Sequence, residues 1–111
     1  MNHADHVDLL RDGGIMPGQV WADFGAGTGA FTLAVAELLA GSGTLYAIDR
    51  DAAALRQNAA QMRERFPSIT YQPITADFMG RLQLPALDGI VMANALHFTR
   101  DRKAVIRAVR Q

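Results

Sequence analysis

A chain of 111 residues, 50% apolar and 20% charged, is sized for a single globular domain with a modest core. Its 11 basic and 11 acidic residues cancel, which excludes the strong positive field expected of a nucleic-acid or anionic-membrane binder. With no cysteine there is neither a disulfide framework nor a thiolate metal site, and no apolar run approaches the ~20 residues of a membrane helix.

Residues 1–6 are polar and lack the basic-then-apolar pattern of a signal peptide, so a cytoplasmic location is expected. Residues 4–12 read as a short helix stopped by Gly13 and Gly14, followed by a turn over residues 15–18. His3 and His6 stand three apart in this segment without a third candidate ligand, so no metal site is expected. Residues 19–24 form a strand that runs into glycines. Residues 29–40 place Phe31, Ala34, Val35 and Leu38 at helical spacing, and Gly41 and Gly43 end that helix. A second strand covers residues 44–48. A second long helix covers residues 51–66, with Asp51 as its cap and Pro67 beyond its end. Residues 69–74 are a third strand, whose Pro73 suits an edge. Residues 78–84 are a short helix or turn, residues 87–93 a fourth strand, and residues 100–111 the start of another helix. Alternation of strands and helices predicts an α/β fold, a parallel sheet of about four strands with helices on both faces. Such sheets bind ligands beyond the carboxyl ends of their strands.

The first strand end is Asp23-Phe24-Gly25-Ala26-Gly27-Thr28-Gly29. Its glycines let the backbone turn tightly and approach a ligand, and the helix that follows directs its free N–H groups into the site. Gly25, Gly27 and Ala30 also satisfy a dinucleotide fingerprint, so an NAD(P)-binding half-domain is an alternative. Asp23 separates the two, because a carboxylate at the turn suits a cationic amino group, such as that of S-adenosylmethionine (SAM), and not a pyrophosphate. Asp49 ends the second strand twenty residues beyond Gly29 and can accept from a ribose diol, while Asp51 caps the helix. Arg50 could lie across an adenine. Asp77 after the third strand can accept from an exocyclic amine, with Phe78 lining the ring pocket. After the fourth strand, Asn94 could meet an amino group, and His97 is a weak candidate for a general base, more readily read as a packed helix-start histidine.

These motifs together resemble the N-terminal, cofactor-binding part of the class I, Rossmann-like SAM-dependent methyltransferases. The matching runs are residues 20–29, 45–49, 76–78 and 88–97. The resemblance implies that Asp23, Gly25, Ala26 and Gly27 hold the methionine end of SAM, Asp49 the ribose, and Asp77 with Phe78 the adenine. It implies a strand order of 3-2-1-4 and a domain over residues 1–111 that is incomplete at its C-terminus, since the family's sheet has seven strands. No Asn-Pro-Pro-Tyr-type motif follows the fourth strand, so a small-molecule acceptor is expected rather than a nucleobase or glutamine amine. A non-catalytic SAM-binding module or truncated fragment is the alternative. With the fourth strand as an open edge, a homo-oligomer through that edge is a further expectation.

Overall fold

A computed structural model describes residues 2–77, 84–92 and 105–107. The chain opens with α1 (His3–Leu10), continued by a 3-10 turn (Arg11–Gly13). Asn2 caps α1, accepting from Asp5 N while the Asp5 carboxylate accepts from Asn2 N. There follow β1 (Val20–Phe24), α2 (Ala30–Leu38), β2 (Thr44–Asp49), α3 (Ala52–Arg65), β3 (Thr70–Thr75), β4 (Gly89–Met92) and β5 (Val105–Arg107). The sheet order is β3-β2-β1-β4-β5. The first four strands are parallel and run in the expected order 3-2-1-4.

Two steps in the same direction, β1 to β2 and β2 to β3, each through a right-handed crossover, put α2 and α3 on the same face. The packing agrees. Strand alternation sends Trp21, Leu45 and Val91 to one face, where they join Leu10 of α1, Val35 of α2 and Met62 of α3 in the main core. Ala22, Ile48 and Ile90 point to the other face and pack with Leu87 and Leu84 from the approach to β4. Each of the three described helices therefore contributes to the core on the face that carries Trp21. The chain then crosses to the far side of β1 to form β4, so the strand order reverses between β1 and β4. At that switch point the loop after β1 stands open at the carboxyl end of the sheet.

Local pairings fix this register. Asp88 N donates to Val20 O at 2.7 Å, and Val20 N donates to Asp88 Oδ2 at 2.8 Å. Gly89 then pairs with Trp21, whose indole lies over it so closely that a Cβ at position 89 would come within 2.4 Å of the ring.

Two expectations change. The helix read over residues 100–111 does not hold for Val105–Arg107, which form β5, antiparallel to β4 with Val91 opposite Ile106. The apolar run Val105-Ile106 that supports a helix serves equally for a strand, and the neighbouring β4 decides in favour of the strand. Consequently the β4 edge is not open, because β5 takes its hydrogen bonds, and association of two copies through that edge would have to displace β5.

Candidate functional site

The loop from β1 to α2 turns on Gly25, Gly27 and Gly29, which have φ of +80°, +57° and +121°, values an L side chain rarely adopts. Gly25 N and Ala26 N both donate to Ile48 O, at 2.8 and 3.0 Å, so the loop is anchored to the end of β2. Ala26 is buried against Ala47 and Leu55. Among the described residues no side chain caps α2 at Gly29, so the first-turn N–H groups of that helix could meet a ligand.

Of the two acids, Asp51 is the one that caps α3: its Oδ1 accepts from Ala53 N and Ala54 N. Asp49 accepts from Gly27 N through Oδ2 (2.8 Å) and from Asp51 N through Oδ1 (2.9 Å). A carboxylate has about four acceptor positions, so one lone pair on each oxygen remains for a ligand hydroxyl.

Beside this carboxylate lies a cavity of about 270 Å³, lined by Phe24, Gly25, Asp49, Arg50, Ala76 and Asp77. Two carboxylates against one guanidinium give its walls a net negative charge. Such walls favour hydroxyl and amine donors and cationic groups, and disfavour a pyrophosphate. Thus Gly25, Asp49, Arg50 and Asp77, taken from three separate strand ends, converge on one cavity. Phe24 and Ala76 complete it; sequence reasoning missed both, although each is next to a residue it had selected. Phe78, Asn94 and His97 lie outside the described residues.

Asp23 is not on the cavity wall. Its side chain is 0% exposed. Oδ2 accepts from the Thr32 hydroxyl of α2 at 2.7 Å, and Oδ1 has no partner among the described residues. Burial pushes its carboxyl up to about 7; the Thr32 hydrogen bond opposes the shift and the nearby Asp49 charge adds to it. The structure therefore places Asp23 under the glycine loop. Strand alternation contained the signal, since Trp21 and Asp23 are two apart and must face the same way, and a buried Trp21 carries Asp23 inward. Sequence reasoning also missed Thr32, Asn58, Gln61 and Tyr71, which hydrogen-bond beneath the same loop.

The two histidines of α1 go separate ways. His3 Nε2 lies 2.7 Å from Glu37 Oε1, and His6 meets the Phe31 ring edge-on at 4.7 Å between centroids. Among the described residues no three His, Asp or Glu side chains gather as metal ligands, and no described helix is long and apolar enough to cross a membrane.

A sheet whose first four strands are parallel in the order 3-2-1-4, with a Gly-rich first turn and an acid at the second strand end, defines a Rossmann-like α/β class of protein. A methyltransferase-domain family model matches residues 22–111, and the chain belongs to this family, the class I SAM-dependent methyltransferases. No curated protein matches the sequence. Solved structures with the same fold include a SAM-dependent methyltransferase from Aquifex aeolicus, at 20% identity and TM-score 0.66, covering 86% of this chain and 51% of that one. Coclaurine N-methyltransferase bound to N-methylheliamine and SAH is 23% identical with TM-score 0.64, covering 78% of this chain and 25% of that one. An arsenic(III) S-adenosylmethionine methyltransferase from Chlamydomonas reinhardtii is 20% identical with TM-score 0.57, covering 80% and 33%. The chain thus spans about half or less of the length of each of these structures.

Proposed function

We propose that this chain binds SAM and forms the cofactor-binding part of a methyltransferase that acts on a small-molecule acceptor. The observation that carries the reading is the convergence of Asp49, Asp77 and Gly25 on one net-negative cavity beside the uncapped start of α2. The residues fit the cofactor. The free lone pairs of Asp49 suit the ribose hydroxyls, Asp77 suits the exocyclic amine of adenine, and Arg50 can lie over the ring. The positive-φ glycines keep side chains away from the methionine end. Beneath them Asp23, when ionised, puts a negative charge under the loop, which favours the cationic amino and sulfonium groups.

SAM, when bound, supplies an electrophilic methyl group on a positively charged sulfur. The residues of this chain bind and orient it, and an acceptor that is already nucleophilic needs little beyond proximity and alignment. The lack of an Asn-Pro-Pro-Tyr-type run after β4 supports a small-molecule acceptor. SAH should bind in the same place, since it lacks only the methyl group and its charge.

Isothermal titration calorimetry with SAM, SAH and NADH separates the readings. Saturable heat with SAM and SAH and none with NADH is expected. Silence at millimolar SAM would remove the reading, and binding of NADH in its place would restore the dinucleotide alternative.

A further inference from the structure

The glycine loop is held from below by side chains that belong to no strand-end motif. Asn58, midway along α3, is fully buried. Its Nδ2 donates to Thr32 Oγ1 at 2.9 Å and to Gly27 O at 3.2 Å, and its Oδ1 accepts from the Tyr71 hydroxyl at 2.6 Å. Thr32 in turn donates to Asp23. Along Tyr71, Asn58, Thr32 and Asp23 each group thus donates towards the carboxylate, so none of these donors competes with another. Nearly one turn further along α3, Gln61 Nε2 donates to Thr28 O at 2.8 Å. A Cβ on Gly29 would lie 3.6 Å from both amide nitrogens, so Asn58 and Gln61 also pack against the loop.

Peptide planarity gives these two bonds a consequence. In a trans peptide the C=O and N–H groups point in opposite directions. Gly27 O shares its peptide plane with Thr28 N–H, and Thr28 O shares its plane with Gly29 N–H. Drawing both carbonyls towards α3 turns both N–H groups away from it, where they can meet an anionic ligand group. The loop has glycine on either side of Thr28, so its backbone has little intrinsic preference for this arrangement.

We propose that Asn58 and Gln61 are positioning residues for the ligand of the glycine loop: by holding the Gly27 and Thr28 carbonyls from α3 they aim the Thr28 and Gly29 N–H groups at the carboxylate of the methionine part of SAM. The inference rests on the SAM reading above.

The test measures the SAM dissociation constant and the melting temperature of the wild-type chain, Gln61→Leu, Gln61→Lys and Asn58→Ala. Gln61 is partly exposed, so its loss should leave the fold intact. Gln61→Leu is expected to weaken SAM binding about five- to tenfold while lowering the melting temperature by no more than about 5 °C, the folding cost of one partly exposed hydrogen bond. Gln61→Lys keeps a donor within reach of Thr28 O and should recover most of the affinity. Asn58→Ala removes three bonds and should weaken binding further while also lowering the melting temperature. Wild-type affinity in Gln61→Leu overturns the inference, as does a loss of affinity that Gln61→Lys fails to recover. If the wild-type chain itself does not bind SAM, the SAM reading fails and the assigned role goes with it, an outcome visible before any variant is made.

Discussion

Asp23 is fully buried, and one of its oxygens has no partner among the described residues. Its carboxyl sits near 7 in the folded chain against an ordinary value of 3.8. A raised acid binds its proton more tightly when folded, so the stability it contributes is full below about pH 4 and is lost as the pH rises through about 7. Asp23→Asn keeps an acceptor for Thr32 and has no proton to lose. Chemical denaturation should find this variant more stable than wild type at pH 8, by up to about 4 kcal/mol, with the gap closing towards pH 4. The reverse order at pH 8 would mean that the ionised form is better solvated than its burial implies. Asp77 is the opposite case, exposed on the cavity wall at the end of β3. Asp77→Asn should leave stability within about 0.5 kcal/mol of wild type and weaken SAM binding several-fold in calorimetry. Gly89 has no room for a side chain beneath the Trp21 indole. Gly89→Ala forces the ring or β4 to shift and should cost about 1–3 kcal/mol in a denaturant titration.

At the scale of the elements, the helix ends are set by local chemistry. Asp51 accepts from two N–H groups at the start of α3, and Asp51→Ala should cost about 1 kcal/mol. Because Asp51 N also donates to Asp49, the same variant tests whether the cap steadies the acid proposed to bind the ribose. At the other end of α2, Ala40 has φ of +53°, the one positive value on a non-glycine among the described residues. A glycine there removes the Cβ clash, and Ala40→Gly should raise the melting temperature by a few degrees, read by circular dichroism. The start of α2, with no side-chain cap among the described residues, is the end that the proposed ligand would meet. The strand elements follow a weaker local logic. Val105-Ile106 fits either a helix or a strand by periodicity, and it pairs as a strand because β4 offers a ladder to it.

At the scale of the whole molecule, two crossovers that step in the same direction stack α2 and α3 on the same face and leave the β1–β4 boundary as the switch point. That topology brings Gly25, Asp49 and Asp77 to one cavity from three separate strand ends, and it sets α3 behind the loop that α2 begins. The sequence by itself determined the alternation of elements, the glycine turn, the Asp51 cap and the acids at the strand ends, because each depends on residues only a few positions apart: strand period, helix period, backbone freedom at glycine and capping reach. It did not determine what supports the loop or how residues 105–107 pair. Those depend on contacts between segments distant in the chain, such as Asn58 with Gly27 and Val91 with Ile106, and packing selects them only once the sheet has brought the segments together. Asp23, the residue that favoured SAM over a dinucleotide in the sequence, is turned inward with Trp21 by the local strand period, and only the tertiary structure decided that Thr32 of α2 meets it there, beneath the loop and off the cavity wall.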